Sequence, residues 1–435
     1  MKKLVMALVA LAAIVAVATP ALAEIKVNGY YRLQGIATNS QGTSVNFDGP
    51  TLIEPPTKSL IDQRLRMKVT NTLNENVNIV WFGEVDGTFG SAADNGPGGD
   101  RVSIETKNAY LDFKVPNSML QVTTGLQGIG NRYQGLIVAD DWSAIKVGMG
   151  LSDAAKLTLL YSKPYEGAQN VWDDVDFYNA SLDLKVADLK LGADIAWFNN
   201  NIGTAGEPVG AGDSPLFSAA KPFDLYLLAA KADVKIGDIG VDGFIIYAMG
   251  SESNPTGVAT PEMDIASYAA TVRVSAKVSD IGLSGRVIYM SGDDNAADDE
   301  YNAFIPNLGG NYDFAGENLM IFTTDAYYNN GPGGRMALQA ATDGAGLLGL
   351  TAQANADFGA VYLKTGVGYF MANETAAGQD DQMGFEIAAR VGTKIAGNVD
   401  LSLGGAYAML GDYWAIAGET PDDIYKANMM INVGF

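Results

Sequence analysis

Charged side chains in this sequence stand at every second position. Arg32 is followed by Arg64, Arg66 and Lys68, and Glu84 and Asp86 repeat the two-residue spacing with opposite sign. Later bases include Lys156, Lys185, Lys231, Arg286 and Arg390, interleaved with acids such as Asp62, Asp112, Asp183, Asp194 and Glu386. These residues offer fixed charge rather than bond-making chemistry. The chain holds no histidine and no cysteine, which excludes Ser-His-Asp catalysis, histidine or cysteine metal sites, c-type haem attachment, a lipidated cysteine and disulfides. Nothing in the sequence asks for a cofactor. A packed interior cannot hold so many ions, so water must reach the face that carries them.

The elements that position this face follow from its period. In Tyr425, Ala427, Met429, Ile431, Val433 and Phe435 every second residue is apolar, and Lys426, Asn428, Asn432 and Gly434 fill four of the five places between, with Met430 the exception. Ile25, Val27, Gly29, Tyr31 and Leu33 repeat the pattern, as do Ile61, Leu65, Met67 and Val69 against Asp62, Arg64, Arg66 and Lys68. Period two predicts β-strands with one oily and one polar face. Short turns fall near Asn74, Asn117, Asp153, Asp188, Asp238, Asp280, Gly359 and Asn398. Long polar connections alternate with them at about 37–58, 87–101, 128–141, 164–174, 200–222, 251–265, 293–345, 372–382 and 411–423. Eight short turns and nine long connections predict an all-β, antiparallel transmembrane barrel of about 18 strands, both ends on the short-turn side. Sixteen stays open, because the pair around 142–149 and 155–163 is short and the segment 316–345 is ambiguous.

Alternation also suits a soluble sandwich; aromatic placement separates the two. Trp81, Tyr161, Trp197, Tyr247, Tyr289, Tyr369 and Tyr407 lie late on the apolar face of outgoing strands, and Tyr178, Tyr226, Tyr268, Phe385 and Tyr425 lie early on returning ones. All fall at one level, as expected for an interfacial girdle rather than a central core.

Lys2 and Lys3, the apolar run Leu4–Val17 and the small residues to Ala23 predict a secretory signal peptide over 1–23, leaving the barrel to 24–435. Without Lys2 and Lys3 the 28 bases fall to 26 against 50 acids, a net charge of −24. That balance argues against a nucleic-acid partner.

From the signal peptide to the closing strand Tyr425–Phe435, the chain resembles Gram-negative outer-membrane porins. The resemblance implies an outer-membrane barrel that passes ions and small hydrophilic solutes, and contact with outer-membrane lipid and lipopolysaccharide. It also implies recognition of the ending (Tyr425, Ile431, Val433, Phe435) by the barrel-assembly machinery, and a homotrimer. In such proteins a basic ladder faces acids on an inward loop. By that likeness Arg32, Arg64, Arg66 and Lys68, with Glu84 and Asp86, are expected at the constriction, opposite a loop 128–141 that offers Arg132, Asp140 and Asp141. The segment Gly130-Asn131-Arg132-Tyr133 lacks the Pro-Glu-Phe-Gly-Gly motif of one porin group. About 18 strands is closer to substrate-selective porins and polysaccharide exporters than to the sixteen-stranded general porins. The longest connection, Asp293–Asp343, is expected either to plug the pore or to form an acidic surface loop; its acids lack calcium-loop spacing. A barrel enzyme is disfavoured by the missing histidine, and an adhesion or structural barrel remains the other alternative.

Overall fold

The computed structural model describes residues 24–40, 53–91, 96, 102–130, 132–166, 174–201, 223–252, 263–295, 297–304, 318–323 and 336–435, with Thr342 and Asp343 by their backbone alone. Residues 1–23, where a signal peptide is expected, lie outside them. Alternating sequence becomes strand in β1 (Glu24–Thr38), β2 (Lys58–Asn74), β3 (Val77–Thr88), β4 (Glu105–Lys114), β5 (Leu120–Gly130) and β6 (Ala139–Ser152). The series continues through β7 (Ala155–Tyr165), β8 (Val175–Val186), β9 (Leu189–Asn200), β10 (Phe223–Ile236), β11 (Ile239–Glu252), β12 (Met263–Val278) and β13 (Ile281–Met290). A two-residue β14 (Glu300–Tyr301) pairs with β12. The last long strands are β15 (Leu347–Asp357), β16 (Val361–Met371), β17 (Gln382–Lys394), β18 (Val399–Leu410) and β19 (Ile424–Gly434).

Apart from β14, these eighteen strands form one antiparallel sheet whose ends meet, because β1 pairs with both β2 and β19. Closure removes the open edge that would otherwise leave backbone groups unpaired. The seam is tied at the terminus, where Gly29 N–H donates to the Phe435 carbonyl at 2.8 Å and Phe435 N–H to the Gly29 carbonyl at 3.0 Å. The strands around 142–149 and 155–163 are full members, β6 and β7. Part of the 316–345 segment instead forms a short helix, α1 (Met336–Ala340), followed by a π turn, Ala341–Ala345. Two-residue turns at Ala187–Asp188, Gly237–Asp238 and Ser279–Asp280 each begin with a left-handed residue. That conformation matches the twist of tight hairpins.

The outer face is apolar over the whole circumference. Ile195 is 62% exposed and Leu403 56%, and similar side chains run from Ile25 to Met429. A soluble monomer rarely exposes an apolar patch above a few hundred Å². The aromatic residues meet across strands at one level: Tyr161 opposes Tyr178, Tyr178 opposes Trp197, Trp197 opposes Tyr226, and Tyr407 opposes Tyr425. Tyr178 and Trp197 stack at 5.2 Å, and Tyr268 and Tyr289 at 5.4 Å. No helix among the described residues is long and apolar enough to cross a membrane, which says nothing of strands.

Candidate functional site in the barrel lumen

Register alone assembles the first charged cluster. Arg32 on β1 lies opposite Arg64 on β2; across the next seam Arg64 opposes Asp86 and Arg66 opposes Glu84 on β3. Arg64 Nη2 donates to Asp86 at 2.8 Å and its Nε lies 3.2 Å from Glu84, which also accepts from Arg66 Nε. Arg64 is only 2% exposed, and two carboxylates compensate its desolvation. Arg32 is buried beside it, within electrostatic reach of Asp62. Lys68, further toward the short turns, makes no ion pair with a described residue.

Asp140 and Asp141 belong to the wall, not to a loop. Gly128–Gly130 continue β5, and Ala139–Asp141 begin β6. Asp140 accepts from the Asp141 N–H and the Trp142 indole, while Asp141 pairs with Lys107 at 3.0 Å and accepts from Asn108. Sequence reading missed Lys107 because a register shift between Phe82 and Gly83 breaks the two-residue count on β4, and such a bulge re-aims a side chain.

The connection between β5 and β6 does fold across the lumen, but with the polarity opposite to that expected. Its base, Arg132, reaches wall acids. Arg132 Nη1 donates to Asp183 on β8 at 2.8 Å, Nε to Asp194 on β9 at 2.5 Å, and Nη2 to the Leu182 carbonyl at 3.2 Å. Asp194 also accepts from the hydroxyls of Tyr133 and Ser181. Burial works against the Arg132 charge, yet the two carboxylates outweigh it and hold its pKa above the ordinary value. Burial, then the bond to Asp194, push the Tyr133 phenol well above its usual range, so it stays a donor. Tyr133 packs edge-on against Phe244 of β11, and Gln134 accepts from Arg286 of β13 at 2.7 Å. Gly130 permits the sharp departure: its φ is +128°, and an added Cβ would lie 1.9 Å from the Val138 carbonyl oxygen.

A second segment occupies the opposite side. Glu386 on β17 accepts backbone N–H bonds from Met320 at 2.6 Å, Ile321 at 3.1 and 3.2 Å, and Phe322 at 2.8 Å. Lys426 on β19 reaches the Met320 carbonyl at 3.5 Å, and Phe322 packs on Phe370 of β16. Ile321 and Phe322 carbonyls then receive the N–H groups of Met336 and Ala337 in α1. Among the described residues, the inward part of the longest connection, Leu319–Phe322, is therefore apolar; its acids at 293–294 and 298–300 lie elsewhere, and no cluster among the described residues gathers enough acids to hold a metal.

The lumen is thus not uniformly polar. Phe177, Phe198, Phe223, Leu225 and Ile246 point inward and join Leu136, Ile137 and Val138 of the first segment. Apolar anchorage is what lets uncharged loop backbone settle inside a barrel. The open volume lies nearer the short turns, in a cavity of about 740 Å³ lined by Arg132, Lys231, Lys190, Asp233 and Arg273, and an adjoining one of about 510 Å³. Of the C-terminal residues, Ile431 and Val433 lie opposite Leu33 and Tyr31 on β1, and Tyr425 stands in the girdle with its N–H bonded to the buried Asn39.

No protein-family model and no curated protein matches this chain. Solved structures do match. The chain is similar to OccK9 (OpdG) of Pseudomonas aeruginosa, with a TM-score of 0.58 and 9% identity over 95% of this chain and 99% of that one. It is similar to Acinetobacter baumannii OccAB1, at 0.57 and 9% over 94% and 96%, and to Pseudomonas aeruginosa OccK2 (OpdF) in complex with glucuronate, at 0.57 and 10% over 95% and 98%. At these identities the likeness is one of fold.

Proposed function

We propose that this protein is an outer-membrane channel of a Gram-negative bacterium that passes small hydrophilic solutes and ions selectively, and that it has no enzymatic role. One observation carries the reading: an apolar outer surface surrounds a charged wall that two inward segments narrow without filling the space beneath them. Selectivity then comes from the cluster of Arg32, Arg64, Arg66, Lys68, Glu84 and Asp86, with Arg132 on the opposite side and Asp140 and Asp141 between. A similar barrel determined with glucuronate bound supports a solute-selective rather than a general pore. Signal-peptide removal after Ala23, contact with lipopolysaccharide, handling of Tyr425–Phe435 by the assembly machinery and a homotrimer complete the proposal; cross-linking in membranes tests the last.

Conductance in planar bilayers tests the channel itself. A protein that folds but never conducts would be an adhesion or structural barrel. Within the channel, replacing Arg64 and Arg66 by Ala leaves Glu84 and Asp86 without their bases, so the K⁺/Cl⁻ permeability ratio is expected to rise about two- to tenfold. Reversal potential under a KCl gradient reads the change, and an unmoved potential removes these arginines from the selective zone.

The lipid face has its own test. Val272, outward on β12 and 52% exposed, stands four residues below the Tyr268 level of the girdle. Val272→Arg is expected to destabilise the barrel by about 2–4 kcal/mol in lipid, measured by urea unfolding in vesicles. A cost near zero would place this face in water.

A further inference from the structure

Three lysines line the cavity of about 510 Å³ on the short-turn side of the first inward segment: Lys68 on β2, Lys146 on β6 and Lys156 on β7. None makes an ion pair with a described residue. The one acid of the lining, Asp112, accepts from Gln121 Nε2 at 3.0 and 3.1 Å and from Thr123 Oγ1 at 2.9 Å. Asp183, opposite Lys156 in the register, is held by Arg132 at 2.8 Å. Asp183 is thus taken up by Arg132, and three lysines against the single carboxylate of Asp112 leave the cavity a formal excess of two positive charges. Of its charged neighbours, Lys146 feels the Asp112 carboxylate first and the repulsion of the Lys156 ammonium second. The stem of Lys156 runs along the wall past Gly148, at ordinary contact distance from where a Cβ would lie. The cavity adjoins the larger one at Gln121, Gly148 and Lys156, and the larger one is lined in turn by Arg132 and Lys231.

We propose that Lys68, Lys146 and Lys156 form a binding site for a multivalent oxyanion, sulfate-like or phosphate-like, free or carried as a group on a small solute. The inference rests on the channel reading and adds the class of solute held beneath the inward segment. Ammonium groups are compact point charges with donors in several directions. Arriving from three strands, they suit a tetrahedral anion that accepts on several sides, whereas the planar fork of arginine suits a carboxylate. A dianion matches the excess charge, and a monocarboxylate leaves half of it uncompensated.

The experiment uses the refolded full barrel, with folding checked by heat-modifiable electrophoretic mobility. Sodium sulfate and sodium acetate are titrated calorimetrically, and sulfate is added to single channels bathed in KCl on the short-turn side. Wild type is expected to bind sulfate in preference to acetate and to show a sulfate-dependent reduction of its own KCl conductance. Lys146→Gln and Lys156→Gln, made singly and together, are expected to weaken sulfate binding tenfold or more. Glucose 6-phosphate, with glucose as control, distinguishes the source: competition by the ester alone of the two extends the site to carried groups, and its failure restricts the site to free ions. Equal affinity for acetate and sulfate, or unchanged sulfate binding in the folded double variant, overturns the proposal while leaving a conducting channel intact. If no form conducts, the channel reading fails, and calorimetry still decides the site.

Discussion

Glu386→Ala is expected to release the inward segment 318–323 and widen the pore. In the native barrel one carboxylate accepts from three successive backbone N–H groups, and the Lys426 ammonium, itself 2% exposed, lies close by. Alanine leaves those donors buried without an acceptor, at about 1–3 kcal/mol for each. The segment then gains by leaving the wall, and the displaced population should rise on the order of a hundredfold or more. The expected record is a larger, noisier single-channel current, with the released segment cut by protease while the barrel stays folded. Glu386→Gln keeps the shape and one carbonyl acceptor, so it should fall between wild type and Ala. A quiet Glu386→Ala channel of native conductance would mean that Phe322 on Phe370 and the α1 contacts hold the segment without the carboxylate.

That latch shows where sequence was legible and where it was not. The strand period, the eight short turns and the aromatic level follow from local rules, since a strand's faces are set by odd and even positions. Glu386 is inward on the same count. Its partners are backbone amides more than sixty residues away, in a stretch whose side chains carry no periodic signal, so nothing in the residue types announces the pairing. Asp140 and Asp141 failed for a different reason. Polar residues next to a glycine-rich turn read as loop, but backbone pairing with Gly128 and Ile129 extends the strands through them. Lys107 was hidden by a bulge, which shifts parity by one. Charge on the wall was readable because it obeys the lattice of the sheet; Arg132 was legible as an inward loop charge, but its partners Asp183 and Asp194 were not, because a loop chooses its wall by three-dimensional fit.

Arg132 makes that choice measurable. Arg132→Ala removes one positive charge from the lumen and leaves Asp183 and Asp194 without their shared base. Both effects have one sign, so the channel should become more cation-selective, by more than the Arg64 and Arg66 pair produces if the first inward segment narrows the pore. Conductance should rise as well, because Tyr133 and Gln134 lose the neighbour that sets their bonds to Asp194 and Arg286. Arg132→Lys separates charge from geometry. Lysine keeps the charge but lacks the planar fork that spans two carboxylates on adjacent strands, so selectivity should return toward wild type while the current stays noisy. If Lys restores both, the guanidinium geometry is dispensable and only net charge matters. If Ala alters neither, the segment is held by the apolar contacts of Leu136, Ile137 and Val138 against Phe177 and Phe198, and the selective zone lies on the β1–β3 wall alone.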